Sequence, residues 1–179
     1  MQYVAIACRC LLGFVFLWSL AVKARSGTAY EQFLTSVREL TGAAPGIARL
    51  LAAAAVAAEL LIVVLLAMPA LIRVGFTVAL ALLAGYSGTL ALALRRGVRA
   101  PCRCLGSRAD PIRPALLGRN AGLLLAAALG LIAATAHGRG NEPIAVAVSV
   151  VAAGVIAALV VFFEDLMTIL SIDPAQTVR

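Results

Sequence analysis

Five runs of about twenty apolar residues dominate the chain and limit what it can fold into. They are Tyr3–Val22, Gly46–Met68, Ala70–Leu94, Ala115–Ala136 and Ile144–Phe163. Each is long enough to cross the hydrocarbon core of a bilayer as a helix, which satisfies its own backbone where no water is present. Of 179 residues, 63% are hydrophobic and only 13% are charged, too few to clothe a water-soluble domain of this size. The expected fold is an all-α integral membrane protein, a compact bundle of five transmembrane helices forming one domain over residues 1–179. It is expected to be a multi-pass protein of the cell membrane, with the lipid bilayer as its first partner. No basic stretch precedes the first span, and it exceeds the usual apolar length of a signal core. It is expected to stay on as a membrane helix.

The net charge of +7 is distributed by the spans. With five crossings, the two long loops and the C-terminus share one side of the membrane, face A. Twelve of the 15 Lys and Arg residues lie there, and only Arg9, Arg73 and Arg139 lie on or toward the opposite face B. That pattern marks a membrane boundary and gives no nucleic-acid footprint. By the positive-inside rule it makes face A cytoplasmic.

Pro69 breaks the helix between the second and third spans, which therefore form an antiparallel hairpin. Pro45 and Pro114 sit where helices begin, a position at which a missing N–H costs nothing. Between the first two spans, Tyr30, Phe33, Leu34, Val37 and Leu40 recur at helical spacing opposite Glu31, Gln32, Ser36, Arg38 and Glu39. The spacing predicts an amphipathic helix over about 28–41 lying on face A, with Thr28 and Glu31 as a capping box and Gly42 as its end. Such a helix is either a lid over a site or a simple interfacial anchor. Small residues, including Gly118 and Gly122 four apart, favour close packing of the spans.

The four cysteines form two copies of one tripeptide, Cys8-Arg9-Cys10 and Cys102-Arg103-Cys104. The first lies within a helix, where residues two apart point about 200° apart and cannot meet disulfide geometry. Cys8 and Cys10 read as small apolar fillers. The second lies in a loop between Pro101 and Gly106, and a bridge there closes a very small, strained and therefore labile ring. Arg99, Arg103 and Arg108 favour the thiolate. A redox pair is the favoured reading, beside an inert pair and a metal site. Two thiolates supply only half of a tetrahedral zinc shell, and the only histidine, His137, falls toward face B. No metal is therefore expected.

Charges inside spans are costly and point to function. Glu59 lies about 18 Å along the second span, too deep for its short side chain to reach headgroups. Lys23 closes the first span, within about 40° of Arg9 on the helix wheel. Arg119, followed by Asn120, enters the fourth span just after the cysteine loop. The expectation is a buried polar pocket of Glu59, Lys23, Arg119 and Asn120 beneath Cys102 and Cys104. Glu59 is expected to pair with Lys23 or Arg119, and the pocket to bind a second substrate or pass protons. For Lys23 and Arg119, snorkelling to headgroups is the competing reading.

These residues resemble the MauE family, membrane proteins of methylamine utilisation grouped with DoxX-like redox-associated proteins. The resemblance is carried by "CRCLLGFVFLWSLAVK" in the first span, Glu59, "CRCLG" at residues 102–106 and "GRN" at residues 118–120. Arg9, Lys23 and Glu59 fall where the family carries charges, and Leu105 replaces its usual Phe. The resemblance implies a four-helix core similar to that of vitamin K epoxide reductase. It also implies thiol–disulfide chemistry in maturing exported disulfide-containing proteins, such as the methylamine dehydrogenase small subunit. Cys102 and Cys104 would be catalytic with Arg103, and a thioredoxin-like protein would be the partner. This role puts face A outside the cytoplasm, against the charge count. Vitamin K epoxide reductase relatives use Cys-x-x-Cys with a second pair on the same face, which this chain lacks. The sequence itself shows no cofactor site, and a quinone carrier rests on analogy alone. The reading from a different class is a non-enzymatic membrane scaffold or small-solute carrier.

Overall fold

The computed structural model describes residues 2–97, 114–135, 147 and 149–158. The helices are α1 (Gln2–Ala24), α2 (Gly27–Thr41), α3 (Pro45–Ala67), α4 (Ile72–Arg95) and α5 (Pro114–Thr135), with a 3-10 turn at Pro69–Leu71 between α3 and α4. A further apolar helix, α6, covers Ser149–Ala158. Among the described residues, four helices are long and apolar enough to cross a membrane, and they correspond to the first four expected spans. Of the fifth expected span, residues 144–163, the described part is residue 147 and α6. The cysteine loop and His137 lie outside the described residues. The prolines act as their chemistry requires: Pro45 and Pro114 open α3 and α5, and Pro69 opens the 3-10 turn.

α1 packs against α3 and α5, and α4 packs against the same two helices. The four therefore close a ring in which chain direction alternates from each helix to the next. The core runs through its middle. Leu12, Val15 and Phe16 from α1 meet Ile62 and Leu66 from α3, Phe76 and Leu83 from α4, and Leu123 and Ala127 from α5, while Ala157 of α6 joins the same cluster. Two glycines allow the closest approaches. A Cβ on Gly75 would stand 2.9 Å from Leu66 Cδ2, and one on Gly130 would stand 2.4 Å from the Phe76 ring. Cys8 is one of the core residues, Cys10 is half-buried, and both are free thiols.

The outside of the ring is as apolar as the inside. Phe14, Leu17 and Trp18 on α1, Leu50, Leu60 and Val64 on α3, and Leu125, Leu129 and Ile132 on α5 are all exposed. A helix that is hydrophobic all round belongs in lipid or in the centre of a large protein, and a bundle of this size leaves only lipid. The chain is a multi-pass membrane protein. Without a hydrophobic force between spans, the ring is held by close packing and by a few buried polar contacts.

Two of those contacts sit at face B, where Arg9 and Arg73 find helix ends. Arg9 donates to the carbonyl of Ala67, the last residue of α3, at 2.7 Å, and Arg73 donates to the carbonyl of Ala134 near the end of α5 at 3.2 Å. Terminal carbonyls lack helical partners, and the negative end of the helix dipole favours a cation. Each arginine thus ties one helix to the end of a neighbour. Arg9→Ala is expected to cost about 1 kcal/mol of bundle stability. Thermal unfolding in detergent checks this, and an unchanged midpoint contradicts the clamp.

At face A, α2 crosses the bundle end and packs on α3, α1 and α4. Its start differs from the expected capping box at Thr28. Ser26 is the N-cap, extended at φ −159°, and its Oγ accepts from the Ala29 N–H at 3.2 Å and pairs with the Thr28 hydroxyl at 2.8 Å. Both residues are good caps, and the tight connection from α1 favours the one that starts the helix sooner. Gly42 ends α2 as expected, with φ +66° and its N–H on the Arg38 carbonyl.

Candidate functional site

Ser19 and Lys23 stand one turn apart on α1, so their side chains share a face. A helical side chain leans toward the N-terminus of its helix, and Lys23 accordingly reaches back into the bundle, with its Nζ 3.0 Å from Ser19 Oγ. There it meets Glu59 of α3, with Nζ 2.5 Å from Oε1. Oε1 also accepts from Ser19 Oγ at 3.2 Å and from the Tyr86 hydroxyl of α4 at 2.8 Å. Three helices converge on one carboxylate oxygen. The side chains of Lys23 and Glu59 are only 2% and 1% exposed, so the ammonium does not snorkel to headgroups.

Removing two ions from water costs several kcal/mol each, offset only by good geometry and further hydrogen bonds. Oε1 has those bonds, and the ammonium has two aromatic faces besides. The Phe33 ring of α2 lies with its centroid 4.4 Å from Nζ, and that of Tyr86 lies at 5.9 Å. Phe33 is 2% exposed and closes the site from face A. The ammonium is that of the chain's only lysine, whereas its 14 other cationic side chains are arginines. A compact ammonium on a flexible stem can meet one carboxylate oxygen, one hydroxyl and a ring face at a single point. Phe33→Leu keeps the apolar cover but removes the cation–π contact. It is expected to lower stability by about 1–2 kcal/mol, read from thermal unfolding, and Phe33→Trp is expected to retain most of it.

Beside the pair lies a small cavity of about 30 Å³, walled by Ser19, Glu59, Tyr86, Thr89, Arg119 and Asn120 among apolar residues that include Phe16, Leu40, Leu90 and Leu116. Asn120 is buried. Glu59 Oε2 is also buried and accepts no hydrogen bond among the described residues. The structure therefore brings Lys23 and Glu59 into direct contact and sets Arg119 and Asn120 in the wall of the adjoining cavity. Cys102, Arg103 and Cys104 lie outside the described residues. No group of three or more His, Cys, Asp or Glu is placed to hold a metal among the described residues.

Four participants lay outside the expected site: Ser19, Phe33 as a cover for Lys23, Tyr86 and Thr89. Ser19 carried a signal, because it precedes the charged Lys23 by one helical turn. Tyr86, Ser87 and Thr89 together interrupt the third apolar run, which marks an inward polar patch. Residues 1–133 match the model of the family described as methylamine utilisation protein MauE. The chain belongs to the MauE family. The matched stretch contains α1 to α4, nearly all of α5 and every residue of the site. No curated protein and no solved structure matches the chain. Membership of the MauE family implies involvement in methylamine utilisation.

Proposed function

We propose that this MauE-family chain is a membrane thiol–disulfide redox protein, in which Cys102 and Cys104 exchange disulfides with a thioredoxin-like partner or an exported client. One observation carries the reading. α4 ends at Arg95 and α5 begins at Pro114, the two helices pack together, and the cavity wall includes Leu90 from the end of α4 and Leu116, Arg119 and Asn120 from the start of α5. Residues 98–113, which bear both sulfurs, connect those two ends in sequence, and the two ends adjoin the buried polar site, which supports the reading. In the exchange, a partner thiolate attacks one sulfur of the Cys102–Cys104 disulfide and releases the other as thiolate. The partner's second thiolate then resolves the mixed disulfide, leaving the partner oxidised and the loop pair reduced by two electrons. Arg103 favours the thiolate that departs.

The four-helix ring also supports the likeness to vitamin K epoxide reductase, and a fifth span continuing α6 in both directions belongs to the same proposal. A quinone carrier rests on analogy alone, and the cavity among the described residues, about 30 Å³, adds nothing for it. No step is routed through one.

The test is trapping. Cys104→Ser in the full chain is expected to hold a mixed disulfide with a thioredoxin-like protein, resolved by reductant and visible on non-reducing gels. Trapping that persists after both loop cysteines are replaced overturns the reading. Loop thiols that stay reduced in cells and react slowly favour the scaffold instead. Labelling Cys102 on intact cells with a membrane-impermeant thiol reagent gives the side: labelled, the pair serves exported clients; protected, it works as a cytoplasmic reductant.

A further inference from the structure

The cavity beside Glu59 has a definable occupant. Oε1 of Glu59 is saturated by three donors, yet Oε2 of the same 1%-exposed carboxylate has none among the described residues. A buried acceptor left unmade costs about 1–3 kcal/mol, more when it is charged. The cavity that Glu59 lines supplies room for a donor, and a volume of about 30 Å³ holds about two molecules the size of water.

The surrounding groups fix the chemistry of that donor. Tyr86 spends its hydrogen on Glu59, and Thr89 donates to the Tyr86 carbonyl at 2.9 Å, so both oxygens face any guest as acceptors. Asn120 offers both an acceptor and a donor, and Arg119 offers only donors. A cationic guest is opposed by Arg119 in the wall and by Lys23 beside it. An anionic guest is repelled by the Glu59 carboxylate whose Oε2 it would have to meet. What fits is small, neutral and both donor and acceptor.

We infer that the cavity is a built hydration site: about two waters bind there, one donating to Glu59 Oε2 and both held by Asn120, Thr89 and Tyr86. Such waters place an exchangeable proton beside the Lys23–Glu59 pair in the interior of the membrane domain. The assignment stands on these residues alone and is independent of the thiol chemistry.

The test is water-edited solid-state NMR on the full chain in lipid bilayers, with tyrosine, asparagine and phenylalanine labelled. The side chains of Tyr86 and Asn120 are expected to receive magnetisation from water severalfold faster than Phe76, which is 0% exposed and stands in the apolar core away from the cavity. Equal, slow transfer to all three overturns the site. Glu59→Gln turns part of the acceptor into a donor and is expected to slow the transfer to Asn120. An unchanged rate in the folded variant shows that Glu59 does not anchor the water and overturns the assignment. Should Glu59→Gln not fold, the double variant Lys23→Met, Glu59→Leu strands no charge and removes the anchor. Its Asn120 is expected to fall to the rate of Phe76, and a rate equal to that of the native chain overturns the proposal.

Discussion

Replacing Lys23 by Met is expected to lower the stability of the bundle by about 3–5 kcal/mol, while Lys23→Met combined with Glu59→Leu is expected to recover most of that loss. The reasoning separates breaking a buried pair from deleting it. With Lys23 gone, Glu59 remains a 1%-exposed carboxylate whose Oε1 keeps only the neutral donors Ser19 and Tyr86. Its charge is then uncompensated in a medium that screens it poorly. With both partners apolar, the desolvation cost disappears together with the attraction. What is lost is the anchoring of Ser19 and Tyr86, worth about 1 kcal/mol for each hydrogen bond. The measurement is a double-mutant cycle by reversible unfolding in mixed micelles, with Glu59→Leu as the other single variant. A coupling energy near zero would mean that the two charges ignore one another, against the 2.5 Å contact. The same cycle separates structure from function. If the double variant folds but no longer forms the mixed disulfide proposed above, the pair serves more than stability.

That pair was legible in the sequence because its cost is. A carboxylate that deep in a hydrophobic run has no route to headgroups and must find a cation, and Lys23 and Arg119 were the cations within reach. Which of them it takes was not legible, because that depends on which helices become neighbours in the ring. Apolar periodicity is uninformative there, since these helices show lipid a face as oily as the one they bury. The amphipathic α2 was readable for the opposite reason: only one of its faces is apolar, and Phe33 and Leu40 on that face are buried. Its cap sits two residues earlier than the sequence predicts, because Ser26 and Thr28 have the same chemistry and the choice turns on the path from α1. The role of Tyr86 is hidden in the sequence because a tyrosine in a span can pack as an apolar ring, and only the position of its hydroxyl 2.8 Å from Glu59 gives it a role. By sequence Arg9 and Arg73 are boundary charges, whereas in the structure each also holds a neighbouring helix by its terminal carbonyls.

The second large effect is expected at Gly130. Its hydrogen faces the Phe76 ring so closely that a methyl group would stand 2.4 and 2.5 Å from two ring carbons and 2.9 Å from Cys8 Cβ. Real contacts do not reach those distances, so Gly130→Ala forces α5 away from α4 and α1 at once. The Phe76 ring is rigid and fully buried, and Leu12 and Ala79 belong to the same packed cluster. It cannot step aside in the way a flexible chain end can. Overpacking of this kind costs about 1–3 kcal/mol, and a contact this short belongs at or beyond the upper end. Spans that associate mainly by close packing have few other contacts to resist the separation. Phe76→Leu in the same chain removes the colliding ring edge and is expected to restore part of the loss, although alone it destabilises by leaving a cavity. Unfolding midpoints of the two single variants and the double variant check this. If Gly130→Ala matches the native midpoint, α5 lies farther from Phe76 than the structure has it. Rescue by Phe76→Leu marks the glycine as the point where three helices are held together.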